Sequence, residues 1–534
     1  MDIDIDFIDS RKASTVTDVR LPSRKVSKQE PASFEEAITA TQFGRYNIML
    51  AFLAMLSSFC TVFDTSTMSY TFVAAHCDLE LTLSDKGLLN AVTYAGMISS
   101  AVIWGFLFDV LGRRKLLIIG FILDAIFVFM SVLTQGLTLL LVSKYLQGLI
   151  INGPFAAVSA YISEFHCAKY RPIYQMLIGT SNSFSSIVLP VLAWMIMPQN
   201  LDFQLMNMNF HSWNIFLLIS GLPAFLSGIC FVFFPESPKF LMTCGENEKA
   251  LKVFQKVYSI NTGHPPETYP IKYLANETKF VKNGNGYEGT IGKQSKRQAL
   301  KGGFSQLKPI FLKPHVMKLL LTSSIFLFLT MAVNMLRLWL PQIFQMMTDY
   351  QVDHDGASAP LCTMLDTSVS SPGNRTAEEC FVNIGNSGIY INSIIVGATA
   401  MCGNIVAAAL IRFIGKKKIL LVALIFSTIF AVSMYFASTP EVAIASSSIF
   451  IAGGSVSNNV MISVAVDLFP TTLRTMAISV GMMIGRSGAM IGNFIFPYLL
   501  ESGCEAPFFV VASYIFVATL LTLMIPNTDM KPLT

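Results

Sequence analysis

Apolar stretches alternate with short polar breaks along most of the chain. They run near 46–70, 87–108, 116–134, 138–162, 174–197 and 213–234, and resume near 316–343, 386–411, 419–437, 441–466, 476–499 and 506–525. Each is close to the roughly 20 residues a helix needs to cross a bilayer. The pattern predicts an all-α membrane protein with twelve transmembrane helices in two sets of six. The divisions follow from it: a disordered tail over 1–43, a six-helix bundle over 44–234, a polar connecting loop over 235–314, a second bundle over 315–525 and a short tail over 526–534. Within the connecting loop, Glu248, Lys249, Leu251, Lys252, Phe254 and Lys256 form one helix-like patch.

Composition agrees with this pattern. Hydrophobic residues make up 53% of the chain and charged residues 13%, about half the charged share of a soluble protein. That argues against a cytosolic enzyme, a disordered chain or a disulfide scaffold, and the net charge of +4 suggests no nucleic-acid partner. The polar start does not lead directly into a short apolar stretch with a cleavage site, so the first span is expected to serve as its own insertion signal. With twelve spans and both termini cytoplasmic, 31 of the 37 basic residues fall on the inner side, and only Lys86 and Arg375 outside, as the positive-inside rule requires. The bilayer is then a plasma or vesicle membrane. Asn374-Arg-Thr, an outer sequon, is a candidate glycosylation site, whereas Asn276-Glu-Thr lies inside. Nine scattered cysteines offer neither a metal site nor a redox motif. Cys362 and Cys380 share one outer polar loop and are a candidate disulfide.

Two motifs recur at one offset. Gly105-x-x-x-Asp109-x-x-Gly112-Arg113-Arg114-Lys115 follows the second span, and Arg412-x-x-Gly415-Lys416-Lys417-Lys418 follows the eighth. Tyr161-x-x-Glu164 with Arg171 follows the fourth, and Asp467-Leu-Phe-Pro-Thr-Thr-Leu-Arg474 follows the tenth. Gly112 and Gly415, Glu164 and Asp467, and Arg171 and Arg474 are each 303 residues apart. The chain therefore reads as two homologous halves. Such parallel repeats place a substrate site near the midplane between them.

The Gly-Asp-Gly-Arg-Arg-Lys motif resembles the inner-loop signature of the major facilitator superfamily. Tyr161, Glu164, Arg171 and the stretch Pro235-Glu236-Ser237-Pro238-Lys239-Phe240-Leu241 resemble its sugar-porter and organic-ion branches. With Phe210-His211-Ser212-Trp213 and Gly263-His264-Pro265, the likeness is strongest to the synaptic vesicle glycoprotein 2 family. It covers roughly residues 43–525 and implies the major facilitator fold. It also implies that Asp109, Arg113 and Arg114, with Glu164 and Arg171 as partners, form a gating clasp repeated by Asp467 and Arg474. Carboxylate–guanidinium bonds can hold helix ends at a set distance.

Ionisable residues inside spans are costly and so are site candidates. Asp64 in the first span and Arg486 in the eleventh are read as facing the central cavity, one for a cation or coupling proton, the other for an anion or counter-charge. Arg337, nearer an outer end, can snorkel. Asp124 and Lys144 are read as a structural pair between the third and fourth spans. Asn152, Asn334, Asn458 and Asn459 either bond a substrate or bond neighbouring helices. Glycines 148, 153, 453 and 454 are expected to allow close packing. There is no nucleotide-binding loop and no cofactor is expected. The expectation is a monomeric secondary transporter for a small polar or organic ion. The alternative is a transporter-shaped vesicle protein acting in trafficking, its transport weak.

Overall fold

The computed structural model describes residues 31–526, apart from 77, 200, 206–207, 277–279, 283–287, 291–307, 314 and 371–386. Among these, helix α1 covers Phe34–Ala40. The first bundle is α2 (Arg45–Ala75), α3 (Leu83–Leu111), α4 (Arg113–Val132), α5 (Leu137–Glu164), α6 (Arg171–Ile196) and α7 (Ser212–Phe233). The connecting segment holds α8 (Pro238–Thr243) and α9 (Asn247–Thr262). The second bundle is α10 (His315–Asp353), α12 (Gly388–Ile414), α13 (Lys416–Tyr435), α14 (Pro440–Leu468), α15 (Thr471–Glu501) and α16 (Glu505–Leu523), with the short α11 (Leu361–Ser370) after α10.

The chain spans the membrane with twelve helices. Nine of the described helices are long and apolar enough by composition alone. The other three, α3, α5 and α15, are 28 to 31 residues long. Glycine sets their spacing. A Cβ on Gly148 would lie 1.9 Å from the Thr93 carbonyl oxygen, and one on Gly96 2.2 Å from that of Tyr145. Helices α3 and α5 therefore meet backbone to backbone, the close packing that small residues permit in membranes. Between the bundles, α2 packs on its repeat counterpart α10, while α3 packs on α15 and α6 on α12, each on the counterpart of the other.

Four expectations are corrected. The tail is not disordered throughout. Ser33 caps α1, with Glu36 bonding back to the Ser33 amide at 2.8 Å, and Phe34, Ala37 and Ile38 bury against Leu241, Met242, Phe254 and Tyr269. The described part of the connecting loop, through residue 276, carries the helices α8 and α9. Asn261 ties it to α2, donating to the carbonyls of Thr41 and Gln42 while accepting from the Tyr46 amide at 3.0 Å. Cys362 pairs with Cys504 rather than Cys380, their Cα atoms 5.3 Å apart, because α11 folds back onto the start of α16. Cys380 and the Asn374 sequon lie outside the described residues. The fourth correction concerns the charge pairings described below.

Candidate functional site: the cavity between the halves and its charge clusters

A cavity of about 280 Å³ lies between the halves. Val62, Ser66, Ser69 and Tyr70 line it from α2, and Gly179, Asn182, Ser183 and Ser186 from α6. On the other side stand Thr330, Asn334 and Arg337 of α10, Ser393 and Gly397 of α12, and Ser455, Asn458 and Asn459 of α14. The α2 positions recur at helical spacing, so they form one stripe. Asn334 and Asn458 are where a cavity role requires them. Asn404 ties three elements together, donating to Ser455 at 2.8 Å and Ser183 at 3.3 Å and accepting from Asn459 at 2.9 Å.

Polar bonds cross between the halves in the wall of this cavity and beside it. Arg337 donates to Ser66 Oγ at 3.2 Å and to Asn334 Oδ1 at 3.0 Å. Tyr94 donates to the same Asn334 oxygen at 3.2 Å. Arg486 donates to Asn152 Oδ1 and lies within electrostatic reach of Tyr94. Arg486 and Asn152 thus join α15 to α5 rather than lining the cavity. Toward the face opposite the basic loops, Lys86 donates to Gln342 at 3.0 Å, and a Cβ on Gly87 would meet Pro497 Cγ at 2.6 Å. The halves are closed together on that face. Arg337 is the cavity residue that the sequence undervalued. Helix α10 is 39 residues long, which puts position 337 well inside it rather than at an end.

Asp64 is not in the cavity. It sits two positions from both Val62 and Ser66, hence on the other face of α2, and points into the first bundle. There it shares a buried cluster with Asp124 of α4 and Lys144 of α5. Lys144 is not bonded to Asp124 directly. Its ammonium donates to Thr67 Oγ1 at 3.1 Å and Gln147 Oε1 at 2.9 Å. Neither oxygen of Asp124 has a hydrogen-bond donor among the described residues. The expected pair is therefore a three-membered cluster. Asp64, expected to stand apart from it, is its third member.

The clasps on the basic face follow the repeat. Arg113 reaches Glu164 at 3.6 Å, and Lys416 reaches Asp467 at 2.6 Å, both members 303 residues on. Arg114 donates to the carbonyls of Phe231 and Val232, and Lys417 to those of Leu523 and Ile525, so each cation covers the end of the last helix in its half. Gly112 and Gly415 carry φ of 88° and 90°, in the region that favours glycine. A residue missed at the sequence level completes the first clasp. Glu236 accepts from the amides of Arg113 and Arg114 at 3.0 Å each, capping α4 where free amides attract a carboxylate. Its presence in the Pro-Glu-Ser-Pro stretch was the available signal. Arg171 does not partner Glu164. It donates to the carbonyls of Ser163 and His166 and bridges to Glu35 of α1. Arg474 likewise does not reach Asp467, and its buried Nε has no partner among the described residues. The backbones of Gly105 and Asp109 lie in α3, but their side chains lie outside the described residues.

His166, in the turn between α5 and α6, is buried beside this clasp. Its Nδ1 donates to the Ile162 carbonyl at 2.7 Å. Burial, reinforced by nearby Arg171, holds the imidazole down at about 4 against that bond. The unfolded chain takes up a proton near 6.5 that the folded chain refuses. Stability is therefore expected to fall as pH drops from about 6.5 towards about 4, by up to about 3 kcal/mol. Thermal unfolding across this window should show a shallower decline in His166→Asn. An unchanged slope in that variant would remove His166 as the cause.

The profile described as Major Facilitator Superfamily matches residues 54–373 and 382–533. Synaptic vesicle glycoprotein 2B of Rattus norvegicus is 22% identical, covering 93% of this chain and 85% of its own length. Synaptic vesicle glycoprotein 2A of Homo sapiens is 28% identical over 47% of this chain and 34% of its own. Among solved structures, the partially occluded inward open conformation of the xylose transporter XylE from E. coli superposes with a TM-score of 0.62 at 14% identity, covering 90% of this chain and 100% of that one. The inward open conformation of the same transporter gives 0.62 at 15% identity, over 91% and 98%. With twelve spans in two repeated halves around a central cavity, and a family profile matching most of its length, the chain belongs to the major facilitator superfamily of membrane transporters.

Proposed function

We propose that this transporter moves a small polar or ionic solute by alternating access, with transport coupled to a proton at the Asp64–Asp124–Lys144 cluster. The basic face is then cytoplasmic, and the face carrying the Cys362–Cys504 disulfide faces the oxidising exterior or vesicle lumen. The observation that carries the coupling is the charge balance of the cluster. Two carboxylates and one ammonium, all excluded from solvent, leave one uncompensated negative charge, and unpaired buried charge is costly. One bound proton removes it, and two carboxylates can hydrogen-bond each other only through a proton. The cluster joins α2, α4 and α5, and α2 also lines the cavity, so protonation can bias how the cavity-facing helix packs. The proton symport named for one solved relative, a D-xylose-proton symporter, makes this chemistry available to the fold. The polar cavity favours transport over a purely trafficking role.

The test is uptake into proteoliposomes across a panel of neutral, cationic and anionic solutes with an imposed proton gradient. Asp64→Asn and Asp124→Asn are expected to lose gradient-driven accumulation while retaining solute exchange at equal pH. Accumulation that survives both substitutions would reject proton coupling at this cluster.

A further inference from the structure

The cavity's charge is unbalanced in a way that selects a substrate. Among the described residues lining it, Arg337 is the only charged side chain and there is no carboxylate. The remaining polar lining is neutral: serines, a threonine, asparagines and Tyr70. Arg337 makes no ion pair among the described residues. A guanidinium has five N–H donors. Here one bonds Ser66 and one bonds Asn334, which orients the group across the boundary between the halves and leaves donors for a ligand. Asn334 is held in turn by Tyr94, so its oxygen is already committed to two donors. A second cation, Arg486, lies within electrostatic reach of Tyr94 and is not among the described residues lining the cavity. A cation in a low-dielectric bundle needs a counter-charge, and none of the described residues lining the cavity supplies one.

We infer that the cavity binds a small organic anion whose carboxylate is held by Arg337. This rests on the transport reading and specifies its substrate class. A carboxylate matches the guanidinium fork in a bidentate way that a lysine would not reproduce. The volume of about 280 Å³ is at the small end of ligand sites, which run from ~300 to 1,000 Å³, so the body of the anion is a few carbon atoms to one ring. Because Arg337 belongs to α10 and Ser66 to α2, the bound anion lies between the halves. It would neutralise the charge that bridges them.

Two measurements separate this from transport itself. Purified full-length protein is heated with lactate, benzoate or citrate, and with the uncharged lactamide and benzamide. Lactate or benzoate is expected to raise the melting temperature, with no shift from either amide. Arg337→Gln should abolish the shift at least tenfold in ligand concentration, while Arg337→Lys keeps part of it. Proteoliposome uptake of the same labelled compounds should follow the same order. Stabilisation without uptake would keep the anion site and reject transport of these compounds. Uptake of neutral or cationic solutes that is unaffected by Arg337→Gln would keep transport and overturn the anion site. A melting temperature unmoved by every carboxylate would also overturn it, as would an equal shift by acid and amide.

Discussion

Replacing Lys144 with methionine is expected to cost about 3–5 kcal/mol, the usual penalty for removing one partner from a buried charge group, and to reduce the yield of folded, monodisperse protein several-fold. The ammonium is fully enclosed, held by Thr67 and Gln147, and is the only cation facing Asp64 and Asp124 among the described residues. Without it, two carboxylates remain together in a bundle with no water. The rescue is the informative half of the experiment. Lys144→Met combined with Asp124→Asn should recover most of the folded yield, since the double variant buries less charge. Fluorescence-detected size exclusion of the single and double variants measures both. A single variant as stable as the parent would show that the three groups do not form one electrostatic unit. A double variant no better than the single would show that Lys144 acts by packing alone.

Gly87→Val should hold the halves apart on the disulfide face. Helices α3 and α15 meet there with no room for a side chain. A Cβ on Gly87 would lie 2.6 Å from Pro497 Cγ and 3.0 Å from the Asn493 carbonyl oxygen, inside van der Waals contact with a rigid proline ring and a backbone carbonyl. Valine adds two methyl groups beyond that, and overpacking typically costs 1–3 kcal/mol. A two-state transporter can avoid the cost by populating the arrangement in which these ends separate, and such a bias corresponds to roughly 5- to 150-fold in population. A cysteine introduced at Ser393, in the cavity lining, reports it. With Gly87→Val, labelling by an impermeant thiol reagent from the disulfide face should accelerate by at least tenfold, and net transport should fall. Unchanged labelling would show that the glycine contact does not hold this face shut.

The charges illustrate how far sequence reasoning reached. The repeat at 303 residues points to Arg113, Glu164 and Asp467, but it assigns Arg474 to the second clasp, where the structure pairs Asp467 with Lys416. The cost of charge in a span marks Asp64, Asp124 and Lys144 as candidates but does not say how they group. Helix α2 is polar and buried on several sides, so its pattern does not say which face meets the cavity. Arg337 was discounted because α10 continues to Asp353, beyond the apolar stretch that marks the span. Cys504, 142 residues from Cys362, could not compete on the page with a cysteine in the same loop. Glu236 was visible only as part of a stretch, its capping role hidden until α4 and the connecting segment met.

Twelve spans, two homologous halves, the basic face and the inventory of buried charges all followed from the chain as written. Each rests on local physics: the length that crosses a bilayer, the cost of a charge inside it, and the turn that glycine permits. Which charges share a cluster, which residues face the cavity and which cysteines join were decided by tertiary structure alone. A helix buried on several sides presents its polar groups to more than one neighbour, and only the packing of α2 against α5 and α7 on one side and α10 on the other assigns Asp64 to the bundle interior and Ser66 to the cavity.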